Sequence, residues 1–564
     1  MSAGRPPLTT YRRLAPGTVL RRGASWPYRA VEVIAGEPHV LRDDLGAMHP
    51  VPTALNVRPL LCLIHVTDLQ LADVQSPTRF EFLNRYFTDP RYAVVVPVQR
   101  PQEALTPHAV DATVRTVNAL RGPATGQPPA LAVTTGDAID NAQWNEVQTF
   151  LALFDGGRVT PDSGGPGYTG VQAMDWPDDI FWKPDGDGPD GPDFFRRELG
   201  FPHHPGLLEA ALREFTAGGL DMPWLSCYGN HEALNQGVGT QTAGLAAALT
   251  SDRKPMQLPD GFDSDEFLEL FTVRPEAFMA GPSRHVPADP GRRPVTRGEF
   301  VAAHCRPGAR PLGHGFTDEN LRNGTAYYVH DTPAARFIAL DTNCLAGGAD
   351  GCLDRQQARW LEERLAEVHS AYRGAAGEEV ATGHDDRLVI LFSHHGVDTL
   401  TNTRGWHPGA GGEPLIGAAE LVALLHRFPN VVLWLNGHTH TNAVRPRPDP
   451  DQPGRGFWEI TTCAVVDWPC QTRLVELADS GGQLSITCTM VDHDTPLGPR
   501  VLDGQALADA ALFTTDDLAA LHRELAANIP FGGTHPGRTG TAADRNVELL
   551  ISPPFPLARL PGAG

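Results

Sequence analysis

The chain has 564 residues, and its 46 Lys and Arg against 67 Asp and Glu leave a formal net charge of −21. A hydrophobic share of 41% beside 20% charged residues excludes a wholly disordered chain. The acidic balance opposes non-specific binding to nucleic acid or to an anionic membrane, though not the capture of a small anion by a local cation. No apolar run approaches the roughly 18 residues that a bilayer span requires, so no membrane span is expected. Arg12 and Arg13 form a twin-arginine pair with no apolar stretch behind it, which reads poorly as an export signal. The eight cysteines include no CxxC pair, so structural zinc is not indicated. Cys62 and Cys227 fall in apolar runs as buried thiols. Cys344 with Cys352, and Cys463 with Cys470, are spaced eligibly for disulfides, but spacing does not decide the matter. Cytoplasm is the default compartment for such a chain.

Residues 1–55 hold short apolar pieces and read as an extension packed on the core. From there to about residue 500 runs a single domain, punctuated by five short apolar runs. These are Leu60 to Asp68, Ala130 to Asp137, Pro223 to His231, Arg387 to His395 and Val431 to His440. Runs of this length and composition predict buried strands. Each ends in Asp, Asn or His, at the strand end where ligands gather in layered α/β proteins.

Helices are predicted between them. One starts at Thr106-Pro107, with Thr106 as cap and Val110, Val114, Val117 and Leu120 on one face. A second opens at Asp354 and carries Ala358, Leu361, Leu365 and Val368, and a third covers residues 417–427. Residues 457–462, 473–477 and 484–491 read as consecutive strands. Two long interruptions, about 155–222 and 240–325, are rich in Gly, Pro and charge and read as cap segments over a site. Beyond residue 500 come an amphipathic helix (Leu518, Leu521, Leu525), a Gly/Thr/Pro-rich loop and a last strand near Val547 to Ile551, together a C-terminal segment packed on the core. The predicted class is α/β: a two-sheet β-sandwich flanked by helices, with long inserted caps.

Taken singly, the polar strand ends are weak signals. Together, Asp68-Leu-Gln70, Gly136-Asp137, Gly229-Asn230-His231-Glu232, His394-His395 and Gly437-His438-Thr439-His440 follow one order, each at a strand end. In this the chain resembles the calcineurin-like metallophosphoesterases, whose pattern is D-x-[HQ], GD-x-x-[DN], GNH[DE], H and GH-x-H. The resemblance covers roughly residues 58–495 apart from the insertions. The long form with Gly313-His-Gly-Phe-Thr317 is similar to an actinobacterial branch of them.

The resemblance implies two divalent or trivalent metal ions about 3.5–4 Å apart, and a metal-bridging hydroxide that attacks phosphorus. By motif position Asp137 bridges the pair. Asp68, Gln70 and His440 complete the first metal site, and Asn230, His394 and His438 the second. Oxygen and imidazole donors favour Mn or Fe, with Zn possible. Gln70 stands where many members have His, which predicts weaker binding at the first metal and a tilt from Zn toward Mn or Fe. His231 would protonate the leaving oxygen or steady developing charge, with Asp140 or Asp68 holding its tautomer. His395 is expected to pack behind His394, while Arg404, Trp406 and His407, which follow that strand, are candidates for the pocket lining. His203, His204, His285, His304 and His314, in the insertions, are expected to be ordinary loop residues. The implied activity is hydrolysis of a small phosphorylated substrate, either phosphodiester or phosphomonoester, with no nucleic-acid partner. The competing reading is a catalytically silent scaffold of the same fold that binds protein partners. Oligomeric state is left open.

Overall fold

The computed structural model describes residues 6–46, 57–165, 167–404, 415–497, 513–531 and 537–560. The protein is mixed α/β, built on a seven-stranded and a six-stranded sheet. In the larger sheet the strands Val57–Val66, Leu131–Thr134 and Trp224–Leu225 run parallel as neighbours. Gln471–Ser480 lies antiparallel on the other side of Val57–Val66, followed by Leu484–Asp492, Val547–Ile551 and Val40–Arg42. In the smaller sheet Ala335–Ala339, Leu388–Phe392, Val431–Asn436 and Gly456–Thr461 are parallel, with antiparallel Tyr328–Asp331 and Ala443–Pro448 at the two edges. All five apolar runs therefore form strands, three in one sheet and two in the other.

The alternation of strand side chains builds the layers. Leu388, Ile390 and Phe392 enter a core shared with Leu63, Val133, Leu225, Leu474 and Ile486 of the larger sheet. Val389 and Leu391, facing the opposite way, meet Leu361 and Leu365 of the helix Arg355–Ala366 and Leu421 and Leu425 of the helix Ala418–His426. On the larger sheet Val110, Val114 and Val117 of the helix Thr106–Asn118 and Phe150 and Phe154 of the helix Trp144–Asp155 join the shared core. Asp354 caps its helix through the Gln357 N–H at 2.6 Å, as its position predicts. Thr106 does not act as a cap: a short 3-10 turn at Glu103–Leu105 feeds the helix directly, so Thr106 is already helical.

The predicted run of three consecutive strands divides differently. Gly456–Thr461 belongs to the smaller sheet, whereas Gln471–Ser480 and Leu484–Asp492 cross to the larger one. The edge strands Tyr328–Asp331 and Ala443–Pro448 carry too little apolar sequence to stand out. None of the eight cysteines forms a disulfide, so neither eligible pair is bridged. No helix among the described residues is long and apolar enough to cross a membrane.

The terminal segments and insertions form a shell. Residues 12–35 make a long antiparallel hairpin. Its Tyr28 packs with Phe195, Leu199, Phe201 and Leu208 of the first insertion and with Leu521 and Leu525 of the helix Thr515–Ala526. The second insertion has two jobs. Phe267, Phe271 and Phe278 enclose Phe80, Phe82 and Tyr92 from the loop that follows Gln70. Farther on, the carbonyls of Arg310 and His314 accept the N–H groups of Trp224 and Ser226, both at 2.9 Å, which covers the bare edge of the larger sheet. His304 and His314 are accordingly buried, and His314 stacks on Trp224 with ring centroids 3.7 Å apart. They are packing residues rather than ordinary loop histidines.

Phe271 is fully buried among Phe80, Phe267 and Phe278. Phe271→Ala is expected to cost about 3–5 kcal/mol, read as a lower urea midpoint.

Candidate metal centre

Three of the five motif turns leave their strands in conformations that most side chains avoid. Asp68, Gln70, Asp137, His438 and His440 have φ of 51°, 42°, 51°, 67° and 54°. Left-handed backbone at non-glycine residues costs roughly 1–2 kcal/mol each and clusters where a side chain must be aimed. The neighbouring glycines permit the close approach. A Cβ on Gly136, at φ 90°, would sit 2.9 Å from the Gly229 backbone and from His394 Nδ1. A Cβ on Gly437 would collide with Thr67 and the Asp68 carboxylate.

These turns bring together all seven residues expected to ligate metal. His394 Nε2 lies 3.1 Å from Asp137 Oδ2, and His440 Nε2 lies 3.2 Å from Asp68 Oδ1. His438 Nδ1 is 3.2 Å from His394 Nε2. One donor atom from each of Asp68, Asp137 and His394 falls within 4.8 Å of the others. The two amide side chains join them with their oxygens free. Asn230 donates its Nδ2 to the Gly237 carbonyl at 3.0 Å. The Oδ1 of Asn230 and the Oε1 of Gln70 are buried without a hydrogen-bond partner among the described residues. A buried carbonyl oxygen left without a donor costs about 1–3 kcal/mol, so a bound cation is the group these atoms fit.

The imidazoles are held from behind. His394 Nδ1 donates to the Thr135 carbonyl at 2.7 Å, which leaves Nε2 facing Asp137. His440 Nδ1 donates to Asp467 Oδ2 at 2.7 Å, which leaves Nε2 facing Asp68. Burial alone would lower the pKa of His394, but the charges of Asp137 and Asp68 raise it to about 9. Burial would likewise raise both carboxylates, yet His440 and His394 pull Asp68 down, and His394 and His231 pull Asp137 well below the usual range. His438 moves down, because burial outweighs its contact with Asp350.

His231 is beside this group. Its backbone N–H donates to Asp137 Oδ1 at 2.9 Å, and its ring Nε2 lies 3.3 Å from Gln70 Nε2. Of the two expected partners Asp140 is the one at hand, with its carboxylate 3.7 Å from His231 Nδ1, but the nearer acceptor is its backbone. Nδ1 donates to the backbone carbonyl of Asp140 at 2.6 Å, while the Asp140 carboxylate takes Arg79 Nε at 2.9 Å. Asp68 makes no bond to His231 among the described residues. His395 is fully buried, and both ring nitrogens have protein partners, Thr342 Oγ1 and the Ala349 carbonyl, each at 2.9 Å. It packs against His438, centroid to centroid 4.4 Å, with no nitrogen left for a metal. Arg404 pairs with Glu269 of the second insertion at 2.5 Å. Trp406 and His407 lie outside the described residues.

Two residues that organise the centre carry no assigned role in the sequence reading. Glu232 accepts four backbone N–H groups: Asp137 at 2.8 Å, Ala138 at 2.6 Å, Ile139 at 3.1 Å and Gly229 at 2.6 Å. Burial and the Asp137 charge push its pKa up, while four N–H donors favour the carboxylate. Asp467 follows the apolar run Cys463 to Val466, the same signal that marks the other motif aspartates. A scan against protein-family models finds no match for this chain, and a search of curated proteins finds none either.

Gly136→Ala is expected to lower stability by about 1–3 kcal/mol through φ strain and backbone contact together. Gly126→Ala is the control: its φ is 72° but nothing lies within 4 Å, so it bears only the backbone term. Urea unfolding of both variants checks the difference.

Proposed function

We propose that this chain is a binuclear metal-dependent phosphoesterase of the calcineurin-like metallophosphoesterase kind, acting on a small phosphomonoester or phosphodiester. The observation that carries the reading is the pair of orphaned oxygens, Gln70 Oε1 and Asn230 Oδ1, buried beside two carboxylates and three imidazole nitrogens. A scaffold that had abandoned metal chemistry would gain by pairing or replacing such atoms. Asp68, Gln70 and His440 would hold one cation and Asn230, His394 and His438 the other, with Asp137 between them.

When bound, two such cations polarise a phosphoryl group and supply a nucleophile at neutral pH. The protein's own part is orientation and proton handling. Thr135 and Asp467 fix the protons of His394 and His440 on Nδ1, so Nε2 is the donor atom of each. Because a carbonyl only accepts, His231 carries a proton on Nδ1 toward Asp140. Its Nε2, which faces the Gln70 amide, is the nitrogen through which it would pass a proton to the leaving oxygen. Neutral amide oxygens at positions 70 and 230 are hard donors that suit Mn or Fe better than a thiolate-seeking metal.

The test is hydrolysis of bis-(p-nitrophenyl) phosphate and p-nitrophenyl phosphate by metal-stripped protein, with and without Mn²⁺. Metal-dependent turnover that disappears in Asp137→Asn is expected, and silence on both esters in a protein that binds no metal would sink the reading. His231→Ala should retain both metals and lose about 10²–10⁴-fold in kcat. Gln70→His should tighten the first metal and shift preference toward Zn, and unchanged occupancy on metal analysis would refute that role for the amide.

A further inference from the structure

Behind His440 lies a buried carboxylate on which three distant parts of the chain converge. Asp467, 5% exposed in its side chain, accepts His440 Nδ1 at 2.7 Å, Arg100 Nε at 2.8 Å and Arg538 Nη1 at 2.5 Å. Arg100 comes from the loop before the helix Thr106–Asn118, and Arg538 from the C-terminal segment. The loop that carries Asp467 is itself docked on the first motif turn. Val465 N donates to the Asp68 carbonyl at 3.2 Å, and Val466 N does so at 3.3 Å.

We infer that Asp467, clamped by Arg100 and Arg538, is the positioning residue that aims His440 Nε2 at the first metal, and that the C-terminal segment is thereby part of the metal centre. This rests on the metal reading proposed above. Three facts favour it over a purely structural ion cluster. His440 sits at φ 54°, so its backbone alone does not hold the ring cheaply in place. Its Nδ1 proton is committed to Asp467, which settles which nitrogen faces Asp68. The same loop holds the backbone of Asp68, so one element sets two donors of one site. A carboxylate behind a ligating imidazole fixes its tautomer and raises its basicity, and losing it typically weakens metal binding 10- to 100-fold. The two guanidinium groups keep the carboxylate charged and leave it no other orientation.

The experiment measures Mn²⁺ binding by titration calorimetry and by electron paramagnetic resonance, using full-length protein, with thermal melting of the metal-free form alongside. Asp467→Asn is expected to weaken one of two sites by about 10- to 100-fold and to replace the spin-coupled pair by the six-line signal of single Mn²⁺. In a His440→Ala background the same substitution should cause no further loss, because its effect runs through that ring. Arg538→Met should weaken the same site by a smaller factor while melting like wild type, and Arg538→Lys should restore it. If Asp467→Asn does not fold, the two Arg538 variants decide the matter. Unchanged Mn²⁺ affinity in Asp467→Asn would overturn the inference, as would an equal loss with and without His440, or an affinity loss in Arg538→Met that only tracks lower melting. Wild-type protein that binds no Mn²⁺ would instead remove the metal reading itself, and this role with it.

Discussion

The centre depends first on the Glu232 carboxylate. It gathers the N–H groups of the Asp137 turn and of Gly229 into one buried acceptor, and so joins two strand ends that hydrogen bonding within the sheet does not reach. These four bonds tie both turns to a single buried side chain. They offset a liability the site cannot avoid: Asp68, Gln70, Asp137, His438 and His440 all stand in left-handed backbone. That arrangement persists only where surrounding contacts over-determine it. Glu232 supplies them on the Asp137 and Asn230 side, and the 465–467 loop does so on the Asp68 and His440 side.

Beneath these turns the two sheets provide rigidity in a simple way. Parallel strands buried on both faces deliver their carboxyl ends to one edge, and the shared core holds those ends in register. Asp68 and Asp137 arrive from one sheet and His394 and His438 from the other. The candidate centre therefore draws on both sheets, which share one core.

The remaining mass of the protein serves this frame. The second insertion covers the Trp224 edge and packs an aromatic cluster behind the loop that follows Gln70. Arg79 and Glu103 of that segment form a buried ion network with Asp140 of the Asp137 turn, and it ends at the carbonyl holding His231. The first insertion packs on the N-terminal hairpin and the C-terminal helix. Segments that look peripheral in the chain are in this way mechanically continuous with the centre.

The sequence alone determined the elements whose signal is local. Five apolar runs ending in Asp, Asn or His predicted five strands, and helical spacing predicted the helices near residues 106, 354 and 418, because burial on a defined face leaves a periodic trace. The candidate donors were legible for the same reason: they close or directly follow apolar runs, and the motif order sets them in relation. What only the tertiary structure decided depends on partners far apart in the chain. Gln471–Ser480 pairs with Val57–Val66, Val547–Ile551 with Val40–Arg42, and Arg538 and Arg100 meet on Asp467. No local pattern encodes which strand crosses to which sheet, nor that His231 rests on a backbone carbonyl rather than a carboxylate. His395 and His394 are adjacent and chemically identical in the sequence. Only packing separates them, since Thr342 and Ala349 occupy both nitrogens of one and leave a nitrogen of the other facing Asp137.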